Sequence, residues 1–150
     1  MKKTSNRGFT LIEILVVIGI IAILAAIVLI AINPARQFAQ ANNSQRTSNV
    51  NAILNAVGQY MADNKGTVPD DVDAGFEDIT QELCEDLVPT YLPALPTDPT
   101  DDFLGVAIDE AECDDLDAED SGYEIEQNAD DRIIVRAPSA ELGETIEVRR

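Results

Sequence analysis

Glu13 is the one carboxylate in a run from Arg7 to Pro34 that otherwise reads as soluble in lipid. A charged side chain at the centre of a membrane helix costs about 2.5–3.5 kcal/mol or more, so its placement limits what it can do. It stands near the start of the run, where headgroups are in reach and the positive end of a helix favours a negative charge. A solitary chain holds it there by snorkelling. Packed into a dry bundle it needs a cation, and the apolar run supplies none. The competing reading is a carboxylate that only caps a helix start, with no partner.

The other residues with chemical capacity lie in the second half. Cys84 and Cys113 are the two cysteines. If that half is exported, thiols there are not kept reduced, and a disulfide between them is the expectation. Two free thiols are the alternative. Neither cysteine has metal spacing, since there is no CxxC and no histidine in the chain. Asp98, Asp101 and Asp102, in "LPTDPTDDF", could ligate Ca²⁺ through clustered oxygens. The loop spacing of an EF-hand is absent, and a solvated acidic loop without cofactor is the simpler reading. Catalysis finds no support. Ser139 has no evident base, the carboxylates are too numerous to single out a pair, and no phosphate-cradling glycine loop occurs. The chain reads as a non-enzyme.

The elements that must position these residues follow from composition. Ile14 to Ile32 is a stretch of 19 residues without a charged or strongly polar side chain. As a helix it covers about 28 Å, close to the hydrocarbon thickness of a bilayer. Lys2, Lys3 and Arg7 precede it, which places that end in the cytoplasm and everything after Pro34 outside. A secretory signal would have a shorter apolar region ending in an A-x-A-like site, and "IAINPARQF" has no such pair. Beyond the span, Val50, Ile53, Leu54, Val57, Tyr60 and Met61 recur at steps of three and four, one apolar stripe on an amphipathic helix. Between them lies a polar neck, Asn42 to Asn49. Asn64, Lys65 and Gly66 supply a stop. The spacing therefore predicts one helix from about Phe9 to about Asn64, bent or interrupted near Ile30 to Pro34, because Pro34 lacks the amide that would bond back to Ile30.

Gly66 to Asp131 holds 23 Asp and Glu and no Lys or Arg. Such a surface stays soluble and repels anionic polymers, which excludes direct nucleic-acid binding. The excess of acids over only three lysines is also what a salt-adapted host would select. A short helix is expected at about Glu77 to Leu87, ended by Pro89, Pro93, Pro96 and Pro99. "GYEIEQ", "RIIVRA" and "TIEVRR" read as three short antiparallel strands, with turns at Asn128–Asp131 and Ala140–Glu144. Tyr123, Ile125, Ile133 or Ile134, Val135, Ile146 and Val148 are the candidates to cover the helical stripe.

"RGFTLIE" followed by a long apolar helix resembles the prepilin signature of type IV pilins and type II secretion pseudopilins. The order helix, loop and small antiparallel sheet resembles that family across the rest of the chain. The resemblance implies an α+β, pilin-like fold: leader 1–8, transmembrane and assembly helix 9–34, amphipathic continuation 35–65, and an acidic loop region with a three-stranded sheet over 66–150. It implies that a prepilin peptidase cuts between Gly8 and Phe9 and that Phe9 is then N-methylated. It implies that Glu13 pairs with the freed amine of a neighbouring subunit during assembly. The partners would be copies of itself and related pilins, and an assembly platform driven by a cytoplasmic ATPase. The chain would be a single-pass membrane protein first and an extracellular or periplasmic filament afterwards. Two departures stand out. Pro34 lies about one turn later than the helix proline of many type IV pilins, and the Trp of the calcium loop of major pseudopilins is missing. The reading from another class is a monomeric anchored acidic domain that binds calcium or a cationic partner.

Overall fold

The apolar run forms helix α1, Leu11–Ala31, and the amphipathic run forms α2, Pro34–Asp63, with Asn33 non-helical between them. The computed structural model describes residues 8–31, 33–100, 105–115 and 121–150. The break falls where Pro34 requires it, and proline at the first position of α2 wastes no helical hydrogen bond. The chain divides between Gln37 and Phe38 into two units. In the first, every residue of Leu11–Leu29 is exposed.

The second unit is built on α2. Val50, Ile53, Leu54, Ala56 and Val57 are buried, and Tyr60 and Met61 are half-buried against the same core. Burying each large aliphatic side chain stabilises by about 1.5–3 kcal/mol. At the far end Lys65 and Gly66 both take left-handed backbone, and the Gly66 amide donates to the Met61 carbonyl at 2.7 Å. This closes the helix as "NKG" predicts.

The cover is a four-stranded antiparallel sheet in the order β1-β2-β3-β4. It comprises β1, Glu77–Asp78; β2, Glu124–Gln127; β3, Ile133–Ala137; and β4, Ile146–Arg149. The three strands expected from alternation are present. The fourth is a correction: Glu77 and Asp78 pair with Ile125 and Glu124 instead of opening a helix. The helix expected from Glu77, here α3, spans Gln81–Leu87. Ile79 is held extended by its amide bond to the Tyr123 carbonyl, and the Thr80 hydroxyl caps α3 by accepting from Leu83. Tyr123, Ile125, Val135 and Ile146 face the stripe as expected, with Val148 packed at the margin. Of the alternative pair, Ile133 joins this core. Ile134 is buried too, but outside that cluster. The fold is thus α+β, an amphipathic helix closed by a small antiparallel sheet.

Cys84 of α3 is bonded to Cys113 in a 3-10 turn, Cys113–Asp115, and both are fully buried. The bridge ties α3 to the acidic loop region, which has few apolar residues of its own to hold it. Replacing both cysteines by serine should lower stability by about 3–4 kcal/mol, the value for a loop of this length. Urea unfolding of the detergent-solubilised chain, followed by tyrosine fluorescence, measures it. An unchanged midpoint would mean the bridge constrains nothing that packing does not.

Candidate functional site

The first turn of α1 carries the residues with the clearest chemical capacity. The Thr10 amide and hydroxyl donate to Glu13 Oε2 at 2.7 and 2.8 Å, and the Glu13 amide faces the Thr10 hydroxyl at 3.3 Å. This is a reciprocal capping box, and it satisfies orphan amides of the helix start. Sequence reasoning had set helix capping and pairing with a cation as alternatives for Glu13. The geometry makes them compatible, because both Thr10 bonds use Oε2 and Oε1 makes no hydrogen bond among the described residues. No cation among the described residues lies within ion-pair distance of Glu13. The partner the carboxylate needs in a dry bundle is therefore not supplied by the described part of its own chain.

Gly8 and Phe9 precede this turn as exposed backbone outside any helix or strand. Space around Gly8 is open, and Phe9 is 85% exposed. A peptide bond here is accessible to an enzyme, as cleavage between these residues would require. Within α1, Leu11–Leu29 is a span of 19 residues, long and apolar enough to cross a membrane.

A second polar cluster was not foreseen. The stretch Asn42–Asn49 reads as a solvated neck, yet Asn43 and Arg46 are buried, Arg46 completely. They continue the buried stripe of α2 one and two turns before Val50. Arg46 donates through Nε and Nη2 to the two oxygens of Asp98 at 2.6 and 2.9 Å. Its Nη2 also reaches the Thr100 hydroxyl, and its Nη1 reaches Glu141 and the Asn43 side-chain oxygen. The Asn43 amide group bonds to the Glu141 carbonyl and to Glu144, while the Glu141 amide returns a bond to Asn43. One guanidinium thus fastens the proline-rich loop and the β3–β4 turn to α2. The sign that could have revealed it is the spacing 43, 46, 50, 53 and 57, a single helical face that changes from polar to apolar.

This bears on the candidate calcium ligands. Asp98 is fully buried and engaged by Arg46 and Thr100, so its carboxylate is committed within the chain. Asp101 and Asp102 lie outside the described residues. Among the described residues no group of three or more acidic, histidine or cysteine side chains is arranged to hold a metal ion. Cys84 and Cys113 form the disulfide described above.

Residues 3–29 match the prokaryotic N-terminal methylation motif. This is the prepilin signature of type IV pilins and pseudopilins, a motif of structural subunits that a peptidase processes, and not of an enzyme class. No match was found among curated proteins or among solved structures.

The Arg46 cluster has a defined acid response. Burial pushes the Asp98 carboxyl up, but the bonds from Arg46 and Thr100 outweigh it and hold it below its ordinary value. Bonds from Asn42 and then Arg46 lower Glu141 likewise. A carboxyl depressed in the folded state contributes stability that is complete above its unfolded value, about 4, and is lost as pH falls through the folded one. Urea midpoints should therefore drop as pH is lowered below about 4. Arg46→Met should cost about 3–5 kcal/mol at pH 7 by leaving Asp98 buried and unpaired. The same variant should lose the steep acid dependence, because Asp98 is then no longer held ionised. A variant as stable as the parent at pH 7 would show that the tie is dispensable.

Proposed function

We propose that the chain is a prepilin-like structural subunit of a type IV pilus-like or type II secretion-like filament. On this reading a prepilin peptidase cuts it after Gly8 and Phe9 is N-methylated. The subunit waits in the membrane with its amino terminus cytoplasmic and its acidic half outside. It then joins a filament of its own copies through α1, drawn out of the bilayer by a platform and its cytoplasmic ATPase. The observation that carries this is the coincidence, within six residues, of an exposed Gly8–Phe9 junction and a capped Glu13, at the head of a helix whose span Leu11–Leu29 is exposed throughout.

The physical sense is direct. Extracted from lipid, α1 must bury its apolar surface elsewhere, and neighbouring copies of the same rod are the available cover. Head-to-tail contacts of this kind do not close, and they build a helical filament. Glu13 Oε1, which has no hydrogen bond among the described residues, would take the α-amine that cleavage creates on a neighbour, while Oε2 keeps the cap on its own helix. The acidic halves then form the outer coat and keep it soluble. The commitment of Asp98 to Arg46 weighs against the alternative, a solitary anchored calcium-binding domain.

Intact-mass measurement of the membrane-held protein should show loss of Met1–Gly8 and the gain of one methyl group on Phe9. Glu13→Ala should remain processed and membrane-held but yield at least tenfold fewer filaments. Gly8→Leu should accumulate as the uncut precursor. A native protein that keeps its leader and stays monomeric in the bilayer would remove the filament reading.

A further inference from the structure

Residues 38–150 contain six cationic side chains amid a strongly acidic surface: Arg46, Lys65, Arg132, Arg136, Arg149 and Arg150. Arg46 and Arg136 are spent in ion pairs, the latter with Glu124. Arg132 and Arg150 are exposed, line the same recess, and have no carboxylate within ion-pair distance among the described residues. The recess has a volume of about 330 Å³, is lined by the apolar Leu54, Met61 and Ile133, and holds one carboxylate, Asp131, beside the two arginines. Gly58 keeps it open. A Cβ there would stand 3.1 Å from Arg150 Nη1, so the bare backbone lets that guanidinium lie across the helix.

The β3–β4 hairpin ends at this recess, where Ile133 and Arg150 exchange backbone hydrogen bonds. Its turn lies at the other end of the same helical face, fastened to Asn43. The 15 residues of α2 from Asn43 to Gly58 separate the two ends by about 23 Å. The turn presents Leu142, an exposed leucine in left-handed backbone (φ 61°), ahead of Gly143. A leucine rarely occupies that conformation, and here about half of its surface, 49%, stays exposed. It is flanked by Glu141 and Glu144. Arg46 pairs with Glu141 and Asp98, while Glu144 is held only by the Asn43 amide, so the turn keeps a surplus of negative charge.

We propose that the Leu142 turn of one copy docks into the Arg132–Arg150 recess of another. The leucine would fill the apolar floor, and the surplus negative charge of its turn would face the two unpaired guanidinium groups. Charge complementarity selects this occupant. A chain of net charge −18 repels its own copies over most of its surface, and a recess lined by two guanidinium groups against the single carboxylate of Asp131 is where an acidic turn is attracted. Knob and recess lie at opposite ends of one hairpin, so one docking event joins unlike surfaces and leaves a knob and a recess open for further copies, the head-to-tail arrangement from which an open array can grow. It would add to the contact between α1 rods a second one between the acidic halves. The inference rests on the filament reading for its setting but not for its test.

The test places a benzophenone-bearing residue at position 142 of the full-length chain and illuminates intact membranes and the sheared surface fraction. A ladder of covalent multimers is expected, with linked peptides containing Met61, Ile133 or Arg150 of another copy. Arg132→Glu combined with Arg150→Glu should weaken the ladder at least tenfold, with the Cys84–Cys113 bond still formed as the check on folding. Leu142→Gly, which suits the left-handed backbone and so spares the fold, should lower filament yield by a similar factor while leaving removal of the leader complete. Links to other surfaces, to lipid or to a different protein, or an undiminished ladder in the charge-reversed chain, overturn the docking. A ladder without filaments keeps this contact and removes the filament reading. Filaments without the ladder do the reverse.

Discussion

The governing constraint is the span Leu11–Leu29, 19 residues that are apolar apart from Glu13 and exposed throughout. The hydrophobic effect allows such a surface two homes, a bilayer or a bundle of similar rods. The first requires little of Glu13, which can stay near the headgroups while capping its helix through Thr10. The second removes water and makes the carboxylate dependent on a cation. The division of labour between its two oxygens lets one side chain serve in both settings without unwinding the turn that holds it.

The globular half answers a different constraint. An acidic chain keeps its loops in water but has little apolar material to hold them, so they are fastened at separate points. The core between α2 and the sheet carries most of the burial. The disulfide holds α3 against the 3-10 turn. The Arg46 cluster holds the proline-rich loop and the β3–β4 turn. At the sheet's margin the Arg136 guanidinium lies 3.5 Å from the centre of the Phe76 ring while pairing with Glu124. Each arginine so placed offsets charges that would otherwise push neighbouring segments apart.

What could be read from the sequence and what could not divide along physical lines. The apolar rod, its proline break and the glycine stop were legible because each depends on a few adjacent residues. Strands β2 to β4 were legible from alternation, and their core-facing side chains with them. Strand β1 was not, because two residues form a strand only through a partner nearly fifty positions away, and Glu77 and Asp78 carry no local sign of it. The burial of Arg46 was hidden for a related reason. An arginine among asparagines and serines looks solvated until Asp98 and Glu141 are brought to it from distant loops. The same event turned Asp98 from a candidate cation ligand into half of an ion pair. At the amino terminus, by contrast, the prepilin-type motif was legible, because it depends on the spacing of neighbouring residues, and residues 3–29 match it.

The Arg46 tie also decides how the globular half would carry load. A pull arriving along α2 from its amino-terminal end meets Asn43 and Arg46 before it meets the aliphatic core. There the tension is shared at once among bonds to two loops more than forty residues apart in the chain. Bonds strained side by side yield only together, whereas bonds strained in series open one after another. Under traction the sheet and the proline-rich loop should therefore travel with the helix as one piece.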